Sequence, residues 1–225
     1  MSRSCRQLLL VLLLGAAVTL AACGGDDGKK NGAATEKASC QTAAQPPPKR
    51  VKKRRPPNFG LSPAKRYTAV VQTNCGDFTI ALAAKKAPRT GGSFVTLARE
   101  GFYDGLTFHR IVRDFVVQGG DPNGDGTGGP GYSVRERPPR DTVYSEGVVA
   151  MAKTGTEPSG TSGSQFFVVT SDNAALDPVY ALLGRVTKGI DVVHRIEAQP
   201  VDQTDRPLQP VVIDRIKIET TRGRR

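Results

Sequence analysis

Two stretches of this chain decide how the rest of it is read. The first is Phe108-His109-Arg110-Ile111-Val112-Arg113-Asp114-Phe115-Val116-Val117-Gln118-Gly119-Gly120-Asp121-Pro122. The second is Gly163-Ser164-Gln165-Phe166-Phe167-Val168-Val169-Thr170. Both are short runs of β-branched and aromatic residues bounded by Gly, Asp and Pro, which is the pattern of brief, well-buried strands. They predict strands at Thr107–Val112, Phe115–Gln118 and Gln165–Thr170.

Upstream, Tyr67–Thr73 alternates as a strand, Asn74-Cys75-Gly76-Asp77 reads as a turn, and Phe78–Ala83 as its hairpin partner. Val148–Ala152, Leu182–Val186 and Val211–Ile218 add three more strands. Thr90–Glu100 spaces Phe94, Leu97 and Ala98 as a helix does, with Gly101 placed to end it. Gly189–Ala198 turns Ile190, Val193 and Ile196 to one side of a second helix. Eight strands and two helices result. Closure into a barrel is one way for such a set to avoid exposed edges.

The chain has 225 residues and a formal charge of +11, which invites a nucleic-acid reading. The position of the charge argues against it. Residues 1–66 hold 13 basic and 3 acidic residues, whereas residues 67–225 hold 19 and 18. The folded part is electrically balanced, and no nucleic-acid partner is expected.

The basic N-terminal part has its own organisation. Arg3 and Arg6 precede the apolar run Leu8–Leu14, and the segment ends Leu20-Ala21-Ala22-Cys23. The run is short for a membrane span and fits a cleaved signal peptide over 1–22. The residues before Cys23 resemble a bacterial lipobox, which implies lipidation of Cys23 and an extracytoplasmic, membrane-anchored protein. Residues 23–66 read as the lipidated Cys and a disordered linker rich in Pro, Lys and Arg. Lys49–Arg55 carries six cations in seven positions, and either meets anionic headgroups or is a solvated spacer. Cys40 and Cys75 either pair outside the cytoplasm or remain two thiols. The folded domain is read as 67–219, followed by a basic tail at 220–225.

The two deciding stretches, with Phe102-Tyr103-Asp104-Gly105 and Gly128-Gly129-Pro130-Gly131-Tyr132, resemble the cyclophilin family of peptidyl-prolyl isomerases in order and spacing from Thr68 to Ile218. The resemblance implies a closed eight-stranded antiparallel barrel capped by two helices, which agrees with the independent strand count. It implies isomerisation of X-Pro bonds in proline-containing polypeptides, with no cofactor and no metal. Arg110 is then the catalytic residue, on the strand face opposite to His109. Phe115, Val116, Phe167 and Leu176 line a proline slot, and Tyr180 stands where some members have a pocket His. Gln118 bonds the substrate backbone, Ala152 and Lys153 pair with it through main chain, and Gln165 helps to hold the catalytic Arg. A monomer is expected.

Some residues depart from the family. Ala175 occupies the position of a Trp found just before the slot Leu in well-known eukaryotic members, and the chain has no Trp. Lys153 replaces a common Asn. Ala175 and Tyr180 motivate a rival reading, a non-catalytic cyclophilin-fold chaperone or Pro-segment binding module.

Two other motifs mislead. Gly124-x-Gly126-x-x-Gly129 matches a dinucleotide fingerprint, but Pro130 follows where a helix must open. Asp121-x-Asn123-x-Asp125-Gly126 begins like a calcium loop, but Tyr132 stands where the twelfth-position Glu belongs.

Overall fold

The computed structural model describes residues 39–52, 54–58 and 60–223; the expected signal peptide and the expected lipidation at Cys23 fall outside the described residues. The strands are β1 (Lys65–Thr73), β2 (Gly76–Leu82), β3 (Leu106–Val112), β4 (Val116–Asp121), β5 (Val134–Arg135), β6 (Val148–Met151), β7 (Thr161–Ser162), β8 (Phe166–Val169), β9 (Leu182–Lys188) and β10 (Val212–Arg222). Helix α1 covers Pro88–Arg99 and α2 covers Ile190–Glu197. Eight strands close into an antiparallel barrel in the order β1-β10-β3-β4-β8-β6-β9-β2, while β5 and β7 form a separate two-stranded pair. The expected barrel is therefore present. The β5–β7 pair was not anticipated, because two residues are too few to show alternation.

Alternation explains the hairpin. Ala69, Val71, Phe78 and Ile80 point into the barrel, and the register pairs Ala69 with Ile80 and Val71 with Phe78. Four aromatic rings meet near the centre: Phe94, Tyr103 and Phe108 each lie 5.8–5.9 Å from the Phe166 ring. Helix α1 adds Phe94, Val95 and Leu97 to this core, and α2 adds Val192, Val193 and Ile196. Helix α1 begins at Pro88, two residues before the position read from sequence, since Pro has no N–H to lose in a first turn. Its open N–H groups are met from a distant loop. Glu136 accepts from Arg89 N at 3.1 Å and Thr90 N at 2.7 Å.

Strands β6 and β8 are buried at all four positions. One face of each points into the barrel. The other meets a second apolar cluster on the outside, described below. That double burial is why both read as unbroken apolar runs.

The segment read as an unpacked linker departs from expectation within the described residues. Cys40 and Cys75 are joined by a disulfide, which settles the alternative in favour of pairing. A closed loop of 35 residues restricts the unfolded chain by on the order of 3–4 kcal/mol. Gln41 N donates to Asn74 O at 2.7 Å, and Asn74 Nδ2 returns a bond to Gln41 O. Lys49 Nζ donates to the carbonyls of Gly101, Phe102 and Asp104 at 2.7, 2.9 and 3.1 Å. Burial lowers the Lys49 pKa from its ordinary value, with Asp104 opposing. Arg54 pairs with Glu100 and lies over the Phe102 ring. The fold thus uses part of the basic run, while Arg50, Lys52 and Arg55 are exposed. Apolar periodicity cannot reveal this segment, because a covalent bond and main-chain carbonyls hold it. Strands β1 and β10 also run a little past the expected domain limits, to Lys65 and Arg222.

On α2, His194 lies between two carboxylates. Its Nδ1 is 3.0 Å from Glu197 Oε2 and its Nε2 is 2.8 Å from Glu146 Oε1. The Glu197 bond, with Glu146 assisting, raises the His194 pKa above 6.5. A raised histidine contributes its stability fully below the unfolded value and loses it as pH climbs through the folded value. The gap in unfolding free energy between wild type and His194→Gln is therefore expected to be widest near pH 6 and to narrow toward about pH 8. Urea unfolding at several pH values tests this, and a gap that does not vary with pH contradicts it.

Candidate active site

The site grows from the outer face of β3, β4, β8 and β6. Strict alternation from Phe108 would turn Arg110 inward. Instead the β3–β4 register pairs Phe108 with Gly119 and then Arg110 with Gln118, so His109 is an extra residue. This bulge resets the alternation. Phe108 and Ile111 enter the core, while Arg110 faces out beside Gln118. His109 is tucked beneath the following loop, 7% exposed, with neither ring nitrogen bonded to protein. Desolvation lowers its pKa, against the pull of Asp121. Arg110 and His109 do part company, as the sequence implies, but through a bulge.

The same registers extend the row. Gln118 pairs with Phe167, Phe167 with Ala150, and Ala150 with Leu182. Val116 pairs with Val169 one step along. The outer face therefore presents Val116, Phe167, Val169 and Ala150 as one apolar floor. Phe115, Ala152, Leu176 and Tyr180 pack around it, forming a cluster separate from the barrel core. The Tyr180 ring stands edge-on to Phe167 at 5.4 Å. Each apolar residue expected in a slot is in this cluster.

Tyr144 joins them and was missed. It is 1% exposed, donates from its hydroxyl to Tyr180 O at 2.6 Å, and accepts from Tyr180 N at 3.1 Å. Burial pushes its phenol up to about 12. It lies in an irregular segment between β5 and β6, where no periodicity marks a buried side chain.

The polar residues line an adjoining groove of about 670 Å³, between the loop Gly126–Ser133 and the segments Ala152–Thr154 and Gly163–Gln165. Gln118 Nε2 donates to Gln165 Oε1 at 2.9 Å, and Gln165 Nε2 donates to Gly126 O and Gly128 O. Gln165 thus holds Gln118 and the loop; no bond joins it to Arg110. The partner of Arg110 is Asp205, at 3.4 Å, a pairing that no local pattern marks across so long a separation. Ala152 N already donates to Gln165 O at 2.9 Å. Among the described residues, no backbone bond uses the Ala152 carbonyl or the Lys153 N–H, so these two remain for an extended peptide. Lys153 Nζ donates to Thr154 O and Glu157 O and lies 5.6 Å from the Tyr180 ring centre, at the junction of slot and groove. Ala175 is exposed and adopts φ 49° beside Leu176, which packs against the outer cluster.

The two misleading motifs resolve into one loop. Asp121 is 1% exposed and accepts from Asn123 N, Asp125 N and Gly126 N, so its carboxylate is spent on the loop backbone. Among the described residues no group of three or more His, Cys, Asp or Glu side chains is placed to hold a metal.

An apolar cluster on the outer face, an arginine on the neighbouring strand and open main-chain groups on an adjoining edge suit a bound peptide. Comparison with known proteins agrees. Residues 68–218 match the family model for cyclophilin type peptidyl-prolyl cis-trans isomerases. A peptidyl-prolyl cis-trans isomerase of Arabidopsis thaliana is 40% identical over 154 residues, covering 66% of this chain and 91% of that protein. Peptidyl-prolyl cis-trans isomerase B of Streptomyces anulatus is 38% identical over 176 residues, covering 70% and 99%. A crystal structure of a Cryptosporidium parvum cyclophilin type isomerase superposes with a TM-score of 0.64 at 30% identity, covering 68% of this chain and 98% of that one. The barrel, the apolar cluster on its outer face and these relatives lead to one conclusion: the chain belongs to the cyclophilin-type peptidyl-prolyl cis-trans isomerases.

Proposed function

We propose that this isomerase acts on X-Pro bonds of exported or unfolded polypeptides at the outer face of a membrane, with Arg110 assisting rotation of the prolyl amide. The observation that carries the reading is the juxtaposition of the apolar slot with Arg110 on the neighbouring strand. The barrier to rotation is amide resonance, about 18–20 kcal/mol. Crossing it makes and breaks no covalent bond. As the C–N bond twists, the nitrogen lone pair leaves conjugation and becomes an acceptor that the planar amide lacks. A fixed cationic donor beside that nitrogen therefore favours the twisted state over both planar ones. Arg110 offers a planar, permanently charged fork. The slot grips the proline ring, Gln118 bonds the peptide backbone, and Ala152 O and Lys153 N hold the adjoining strand. A related Cryptosporidium parvum structure was determined in the presence of the dipeptide Ala-Pro, which supports a prolyl ligand.

The rival, a binding module without turnover, draws on the Arg110–Asp205 pair, which engages the fork. That pair is weak. Its side chains are 39% and 43% exposed and it spans 3.4 Å, so it contributes about 0–1 kcal/mol and yields readily to a substrate. The membrane location rests on the lipobox-like run ending at Cys23 and on the basic segment that follows it.

The wild-type chain is expected to speed relaxation of a cis-enriched X-Pro tetrapeptide in proportion to its concentration. An unchanged relaxation time contradicts the isomerase reading. Mass spectrometry of the native N-terminus is expected to find an acylated Cys23, and an unmodified residue there removes the anchor.

A further inference from the structure

The wall of the peptide groove is a two-sided loop. Its inner side, from Gly126 to Gly131, lines the groove. On its outer side, Pro122, Asn123, Gly128 and Gly129 face Pro48, Lys49, Arg50 and Val51 across a shallow gap. Gly128 and Gly129 therefore stand between substrate and N-terminal segment. Left to itself the loop would be pliable, because Gly124, Gly126 and Gly131 all have positive φ and the residues around them are small. It is also tightly seated, for a Cβ at Gly128 would collide with Asp121 Oδ1 and the Asn123 backbone.

The Asp121 carboxylate holds the first half of the loop through Asn123 N, Asp125 N and Gly126 N, and Arg206 donates to Gly124 O; two further sets of bonds hold its two sides. On the groove side Gln165 donates to Gly126 O and Gly128 O and accepts from Gln118. On the other side Lys49 N donates to Pro122 O at 2.8 Å, where β4 leaves the barrel. The Lys49 ammonium is in turn seated on the carbonyls of Gly101, Phe102 and Asp104. Upstream, the segment ends at the disulfide to Cys75, which is 4% exposed in the β1–β2 turn. A continuous path runs from the disulfide through Lys49 and the loop to Gln165 and Gln118. The apolar slot is off this path: Cys40 and Val51 pack on the barrel core, and no residue of the segment belongs to the slot cluster.

We propose that residues 40–51 form a strap, latched by the Cys40–Cys75 disulfide and by Lys49, that positions the Gly-rich wall of the groove and so sets affinity for the peptide flanking the proline. The proposal rests on the prolyl-peptide reading of the site. Lys49 is a positioning residue. Opening the latch lets the wall sample positions that do not bind, and apparent affinity falls by the fraction of time spent there. Rotation of the bound prolyl bond depends on the slot and Arg110, which keep their geometry. The strap therefore acts on KM and leaves kcat.

The test uses the full chain with an X-Pro tetrapeptide, oxidised and after thiol reduction, alongside Cys40→Ser and Lys49→Met. Reduction and each variant are expected to raise KM about 3–10-fold with kcat nearly constant. Reduction of Cys40→Ser is expected to add nothing, which assigns the redox effect to this bridge. An unchanged KM in reduced wild type and in Cys40→Ser overturns the proposal, and so does a fall confined to kcat. If Lys49→Met does not fold, these two arms still decide. Titration of an Ala-Pro peptide, followed by the amide resonances of Gly126–Gly131, separates this outcome from failure of the isomerase reading. Affinity that falls on reduction without any catalysed isomerisation keeps the strap and removes the enzyme; turnover with unaltered affinity does the reverse.

Discussion

Arg110→Ala is expected to lower kcat/KM for X-Pro isomerisation by about 10²–10³-fold, the usual effect of removing one donor aimed at a transition state. Stability is expected to change little, because the side chain is 39% exposed and its partner Asp205 is similarly open. KM is expected to move less than kcat, since a planar prolyl amide offers its nitrogen no bond to Arg110. Arg110→Lys keeps the charge but loses the fork, and an intermediate rate is expected. An Ala variant retaining wild-type rates removes Arg110 from the mechanism and returns the fold to a peptide-holding role.

The second large effect separates two adjacent residues. Phe166 is fully buried inside the barrel, at 5.8–5.9 Å from three other rings. Phe166→Ala is expected to cost about 3–5 kcal/mol. For a domain of this size that is a fall of about 10 °C or more in Tm. Phe167 faces outward into the slot, against Tyr180 and Tyr144. Phe167→Ala is expected to cost less stability but to lower kcat/KM about 10–100-fold, as the proline ring loses its apolar wall. Thermal unfolding and isomerisation rates, corrected for folded fraction, check the pair. The inside–outside assignment fails if Phe167→Ala is the more destabilising or Phe166→Ala the less active per folded molecule.

Phe115, Val116, Phe167 and Leu176 are slot residues by resemblance alone; alternation says only that strand residues two apart share a face. Val116 and Gln118 on β4, and Phe167 and Val169 on β8, follow that rule. Arg110 was legible only by resemblance, for plain alternation from Phe108 turns it inward and the bulge at His109 turns it out. Tyr144 was not legible, because it lies in an irregular segment where no period applies. Gln165 is a site residue by resemblance, but its contacts are with Gln118 and the Gly-rich loop, and a side-chain amide's choice among nearby acceptors is a tertiary matter.

The eight barrel strands, the two helices, the family and the balanced charge of the folded part can all be read from the chain itself. These follow from local periodicity and short motifs, which act over a few residues. Cys40 meeting Cys75, Lys49 seated on three carbonyls and Asp205 facing Arg110 come from three-dimensional packing alone. Each joins residues far apart in the chain through a single bond or charge, with no repeating pattern to betray it. Which residues meet is then set by the way the barrel closes and by where its loops return.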